Sequence, residues 1–210
     1  MAIDKLQIAN LALSTIKARR LSTFPTGEST TIPEATLIFD WYDIIRDDVL
    51  SEFPWSFATK RYALVLASSQ PTIIIDNLSV LYNIPNTGGG TPVADMIKPT
   101  FKSNKYAKLV IEAAGIYSNI NSLSIKYTYR NDDPTTYSAA FISAFATRLA
   151  AAIALNRSES VSAAEGLLDQ YHKIFLPRAK AADFQKDAQA RPLQNSWEFA
   201  RLNGNLWYPI

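Results

Sequence analysis

Apolar and polar positions fall into register most clearly between Leu37 and Ala63. Ile38, Tyr42, Ile45, Val49 and Phe53 recur at the spacing of a helix with one apolar face, which Leu37 and Trp41 widen. Asp40, Asp43, Asp47 and Ser51 share another face, one that meets water or a charged partner. Pro54 lacks an N–H and restricts Phe53 before it, so the helix ends there. Trp55, Phe57 and the pair Lys60–Arg61 follow at once. The stretch predicts a helix, a Pro54–Trp55 corner and a strand in series, joining a helical layer to a sheet layer.

The same reading extends over the rest of the chain. Residues 4–18 predict a helix with Leu6, Ala9, Leu13 and Ile16 on its buried stripe and Asp4 as N-cap. Residues 19–31 are a loop rich in Ser and Thr, and Pro33 suits the first turn of the second helix, with Thr31 or Ile32 at the cap and Glu34 near its positive end. Between 57 and 130 short segments rich in Val, Ile and Tyr alternate with turn signals, which reads as β structure. The candidate segments are 57–67, 72–85, 105–118 and 122–130, and residues 86–95, with Gly88–Gly89–Gly90, form a loop between the second and third. The clearest is the last, where Leu123, Ile125, Tyr127 and Tyr129 alternate with Ser124, Lys126, Thr128 and Arg130. Asp133 and Pro134 predict the start of a third helix over 134–156, and a fourth begins near Ser160, with Leu168, Tyr171, Phe175, Ala179 and Ala182 on one face. Pro177 interrupts that pattern.

The order is helices, strands, helices and a tail, which predicts α+β rather than an alternating parallel sheet. The expected architecture is an antiparallel bundle of about four helices from residues 1–56 and 131–190. A small antiparallel β domain, 57–130, is inserted into it, and residues 191–210 form an extended C-terminal tail.

Composition narrows the chemistry. The 210 residues are 48% hydrophobic and 19% charged, enough to build a core rather than a disordered chain. A net charge of +2 gives no general nucleic-acid footprint. With no cysteine there are no disulfides, thiolate metal sites or cysteine nucleophiles. Asp4 and Asn10 interrupt what would be the core of a signal peptide, and no apolar run approaches the roughly 20 residues that span a bilayer. His172, the single histidine, sits on or beside an apolar helix face and reads as a packed edge residue. Asp40, Asp43 and Asp47 are the best carboxylate cluster, and a solvated helix face or a contact with a basic neighbour explains them better than a cation. The triple glycine lacks the Lys-Ser or Lys-Thr of a phosphate loop. Lys98, Lys102, Lys105 and Lys108 either touch phosphates or keep a sheet edge soluble, and the second reading is preferred. No catalytic, cofactor-binding or metal-binding residues are expected. The tail holds Trp197, Phe199, Trp207 and Tyr208, side chains that are costly to expose. It either folds back onto its own domain or anchors to a partner.

Taken in order, these pieces resemble a known family. They are YDIIRDDVLSEFPWSFATKRYAL, SVLYNIP, IKYTYRNDDPTTY, FISAFATRLAAAIA and a terminal SWEFAR. Across nearly the whole chain they are similar to the head-to-tail adaptors of short-tailed phages, the group that includes tail tubular protein A. Pro177 and the glycine loop between Thr87 and Pro92, with Asp95 displaced beyond it, depart from the family pattern. The resemblance implies a structural virion protein, made in the host bacterial cytoplasm, and not an enzyme. Such adaptors form a ring of about twelve copies beneath the portal. They extend the channel through which genomic DNA passes without sequence-specific binding, and they carry the tail nozzle or fibres. The partners so implied are the portal protein, identical subunits, and nozzle or fibre proteins, with no cofactor and no membrane. The resemblance further implies that Trp197, Phe199, Arg201, Trp207, Tyr208 and Ile210 anchor to the portal; in such a ring subunit the ridge of Asp40, Asp43 and Asp47 is the candidate subunit seam, meeting Arg or Lys of a neighbour, and Pro54–Trp55 is the structural corner. The alternative is another neck or nozzle-side ring protein that does not touch the portal.

Overall fold

The computed structural model describes residues 3–28, 32–71, 74, 76–83, 96–102, 108–112, 115–157 and 161–188, with the backbone alone over 96–102 and 186–188. It is an α+β fold. Helix α1 spans Lys5–Thr15. Asp4 caps it as expected, accepting from the Gln7 amide at 2.7 Å while the Gln7 side chain reaches back to the Asp4 amide. Lys17 closes its far end in the left-handed region, φ 54°. The amides of Lys17 and Ala18 then donate to the carbonyls of Ser14 and Leu13. Asn10 pins the loop beyond by bonding both the amide and the carbonyl of Leu21.

Helix α2 spans Pro33–Ser51 and carries Pro33 in its first turn, with Ile32 at the cap and no side-chain bond there. Its buried face is Ala35, Ile38, Tyr42, Ile45, Arg46, Val49 and Leu50. It stops at Ser51, short of Phe53. A short 3-10 turn, Ser56–Ala58, leads into strand β1, Thr59–Ala63. Strands β2 (Val80–Tyr82), β3 (Met96–Lys102), β4 (Leu109–Glu112), β5 (Gly115–Ser118) and β6 (Ser124–Tyr129) follow. They make two three-stranded antiparallel sheets, ordered β1-β6-β3 and β2-β5-β4. Leu64, Val80, Tyr82, Ile116, Leu123, Ile125 and Tyr127 fill the core between them.

Two β expectations are corrected. Segment 105–118 is not one strand, because β4 and β5 pair with each other as a hairpin. Gly115 begins β5 where a Cβ would collide with the Tyr82 carbonyl oxygen and the Leu81 side chain, which is why glycine stands there. Strand β3 lies outside every expected segment and contains Pro99, a residue that argues against a central strand. It is an edge strand, and its pairing with β6 slips at Met96/Lys98 and at Pro99/Phe101. Lys98 and Lys102 belong to this edge strand.

The third helix also starts later than expected. Asp133 caps only a 3-10 turn, Pro134–Thr136, by accepting from the Thr135 hydroxyl and amide. Those bonds hold its carboxyl below the usual range, so the stability it adds is present at neutral pH and lost as pH falls through its folded pKa. Tyr137 is extended, its hydroxyl donates to the Asn131 carbonyl, and the helix restarts with Ser138 as cap. Helix α3 spans Ala139–Asn156 and is central, packing against α1, α2 and the helices beyond it. By length and composition it is apolar enough to cross a membrane, which amends the sequence expectation. Most of it is buried in the core. Helix α4, Val161–Gln170, passes through a π turn, Tyr171–Phe175, into α5, Leu176–Ala188. Pro177 has no N–H for the preceding turn, and the wider turn at Tyr171–Phe175 absorbs the break without ending the helix.

Tyr42, Tyr137 and Tyr171 are buried in the helical core, and burial pushes each phenol well above its ordinary value of 10. A raised folded pKa leaves stability intact below the unfolded value and removes it above. Three such groups give a slope of up to about 4 kcal/mol per pH unit beyond pH 10. We expect cooperative unfolding by circular dichroism between about pH 10 and 12. Tyr42→Phe, whose hydroxyl has no partner among the described residues, should make that transition shallower. A transition unchanged by that substitution would remove Tyr42 from the account.

Candidate functional site

The polar centre of the molecule forms around Arg46. Its position on the inward face of α2 leaves its side chain only 4% exposed. Its guanidinium donates to Asp43 at 2.8 Å, to Asp47 at 2.9 and 3.0 Å, and to Asp132. Arg130 at the end of β6 reaches the other oxygen of Asp47 at 2.7 Å, and Lys5 of α1 reaches Asp132 at 2.7 Å. One network thus ties α1, α2 and the junction between β6 and α3. Burial opposes the charge on Arg46, but the Asp47 and Asp43 carboxylates outweigh it, and its pKa is raised. Farther along, Arg148 to Asp48 at 3.1 Å and Arg157 to Glu34 at 3.3 Å clasp α3 to α2.

This geometry divides the expected acidic ridge. Asp47 is about three-quarters buried and held by two arginines of its own chain. Asp43 is largely exposed but bonded to Arg46. Asp40 is exposed and has no ion-pair partner among the described residues. Phe39 and Ile44, 43% and 59% exposed, flank it. Asp40 with these two apolar neighbours, rather than the three aspartates equally, is what α2 offers outward.

No family model and no curated protein matches this chain. Its chemistry is therefore read from its own residues. At the corner, Pro54 is exposed and Trp55 fully buried. The indole donates to the Val49 carbonyl at 3.0 Å and packs against Phe53, Phe57 and Phe141 at 5.2, 6.0 and 5.0 Å. Asp183 of α5, 3% exposed, accepts from the Ser56 amide at 2.7 Å and the Ser56 hydroxyl at 2.6 Å. It fastens the far helix to the corner. Sequence reading missed Arg46 and Asp183, whose only signal was a charged residue on an apolar helical face.

Trp197, Phe199, Arg201, Trp207, Tyr208 and Ile210, like Gly88–Gly90 and Lys105, lie outside the described residues. His172 lies in the π turn, exposed, its ring edge-on to Tyr171 at 4.9 Å. Among the described residues no group of three or more His, Asp or Glu is placed to hold a metal ion. Asp43, Asp47 and Asp132 converge, but on a guanidinium.

Proposed function

We propose that this chain is a head-to-tail adaptor of a short-tailed phage, a structural subunit that joins identical copies in a ring beneath the portal. The ring extends the DNA channel and carries the nozzle or fibres, and the chain performs no catalysis. In this reading α1 to α5 form an antiparallel bundle from residues 1–56 and 131–190, with 57–130 inserted as the tail-side β domain. The order of sequence blocks set out above supports it. The observation that carries it is the continuous spine from α2 through the buried Trp55 corner into β1, braced by Arg46 on one side and Asp183 on the other. A subunit that transmits load from portal to tail needs its helical and sheet ends joined without a flexible linker. Residues 191–210 serve as the portal anchor, with Trp197, Phe199, Arg201, Trp207, Tyr208 and Ile210 supplying aromatic and arginine contacts.

The chain lacking residues 192–210 should keep its melting transition and lose co-sedimentation with the portal ring. Undiminished co-sedimentation would contradict the anchor.

A further inference from the structure

Helix α5 is apolar on two sides. Leu176 and Ala179 face the core with Asp183. On the outer side Pro177, Ala181 and Phe184, preceded by Ile174 of the π turn, recur at three- and four-residue spacing and are exposed, Ile174 by 55% and Phe184 by 66%. Arg178 stands beside this stripe, exposed, with no ion-pair partner among the described residues. It also lines an open groove of about 400 Å³ between the start of α3 and α5. The outward face of α2 has the opposite sign. Of its five carboxylates, Glu34, Asp43, Asp47 and Asp48 pair with arginines of the same chain, and Asp40, flanked by Phe39 and Ile44, is exposed with no ion-pair partner among the described residues. A two-sided helix with a basic flank and an apolar ridge with an acidic centre thus occur in one chain, on helices that both pack against α3.

We propose that these two faces are each other's partners between copies. The outer stripe of α5, with Arg178, receives Phe39, Asp40 and Ile44 of a second copy. Such a contact is heterologous, so every subunit offers one face forward and one behind, and repetition gives a ring where the rotation between neighbours closes. Apolar burial supplies attraction, and the Asp40–Arg178 pair fixes register and hastens encounter. This inference rests on the ring reading and names the second half of its seam.

The chain has no cysteine, so introduced thiols report contacts without background. Full-length Ile44→Cys and Phe184→Cys, both at exposed positions, are mixed under mild oxidation and the bonds mapped by mass spectrometry. We expect the 44–184 bond to form about tenfold faster than 44–44 or 184–184, and the double variant to give a ladder of multimers. Asp40→Arg should slow the bond about tenfold, and Arg178→Asp on the partner should restore it. Statistical pairing, or a ladder no stronger than that of a Leu11→Cys, Val110→Cys control, overturns the proposal, as does a 184 thiol trapped only within its own chain. A ring seated on the portal without a 44–184 bond defeats this pairing and leaves the adaptor reading standing. A ladder with no portal binding does the reverse.

Discussion

Trp55→Ala should remove about 3–5 kcal/mol of stability, a large share of the ~5–15 kcal/mol that folded proteins possess. The indole is wholly enclosed and touches three other aromatic rings, and its N–H satisfies the Val49 carbonyl in the last turns of α2. Truncation therefore leaves a cavity at the point where α2, α3 and the entry to β1 meet, and it orphans a buried carbonyl. Trp55→Phe separates the two effects. It keeps most of the ring burial and loses the hydrogen bond, at a cost of about 1–3 kcal/mol. Urea titration of both variants gives the comparison. A loss below about 1 kcal/mol for the alanine variant would mean that the corner does not join the layers.

Arg46→Met should cost about 2–3 kcal/mol, somewhat less than the loss of one partner from a wholly buried pair. The discount follows from exposure. Asp43 and Asp132, with side chains 69% and 57% exposed, regain water, and Asp47 keeps Arg130. What is lost is the one group that bonds all three carboxylates at once. Arg46→Lys should not restore it, because a single ammonium cannot match a planar fork. The loss should persist at high salt, where exposed pairs such as Lys173–Asp169 are screened. Full stability of the methionine variant in thermal melts would show that packing alone holds this junction.

The local chemistry of the fold was legible where one residue decides the outcome. Asp4 caps α1 and Pro33 opens α2 where the sequence places them, whereas α2 ends at Ser51, ahead of Pro54, and Asp133 caps only the 3-10 turn before α3. Pro177 announced an interruption, but whether a helix ends or widens into a π turn depends on the packing of Tyr171 and Leu176, which no local signal carries. Strand β3 was hidden because Pro99 breaks its pattern, and an edge position tolerates what a central strand would not. In the β4–β5 hairpin the need for glycine at position 115 was hidden, because the backbone it must clear is that of Tyr82 in β2, more than thirty residues earlier.

The acidic ridge was half legible. Periodicity put Asp40, Asp43 and Asp47 on one face, but not that Asp47 belongs to an internal network. That depends on Asp132 and Arg130, brought in by the return of the chain from the sheet. The same return turns Asp183 into the brace of the corner across 127 residues. Long-range ion pairs leave no periodic trace, so a charged residue on an apolar face is the only warning a sequence gives.

As proposed, the chain is a ring subunit seated on a portal. Imaging the protein mixed with its portal ring tests this most directly. The expected image is a closed ring on the portal, with α2 and α5 at the seams between neighbours, the two sheets pointing away from the portal, and residues 191–210 running along it. Protein that stays unbound beside the portal, or a ring that meets the nozzle alone, would contradict it.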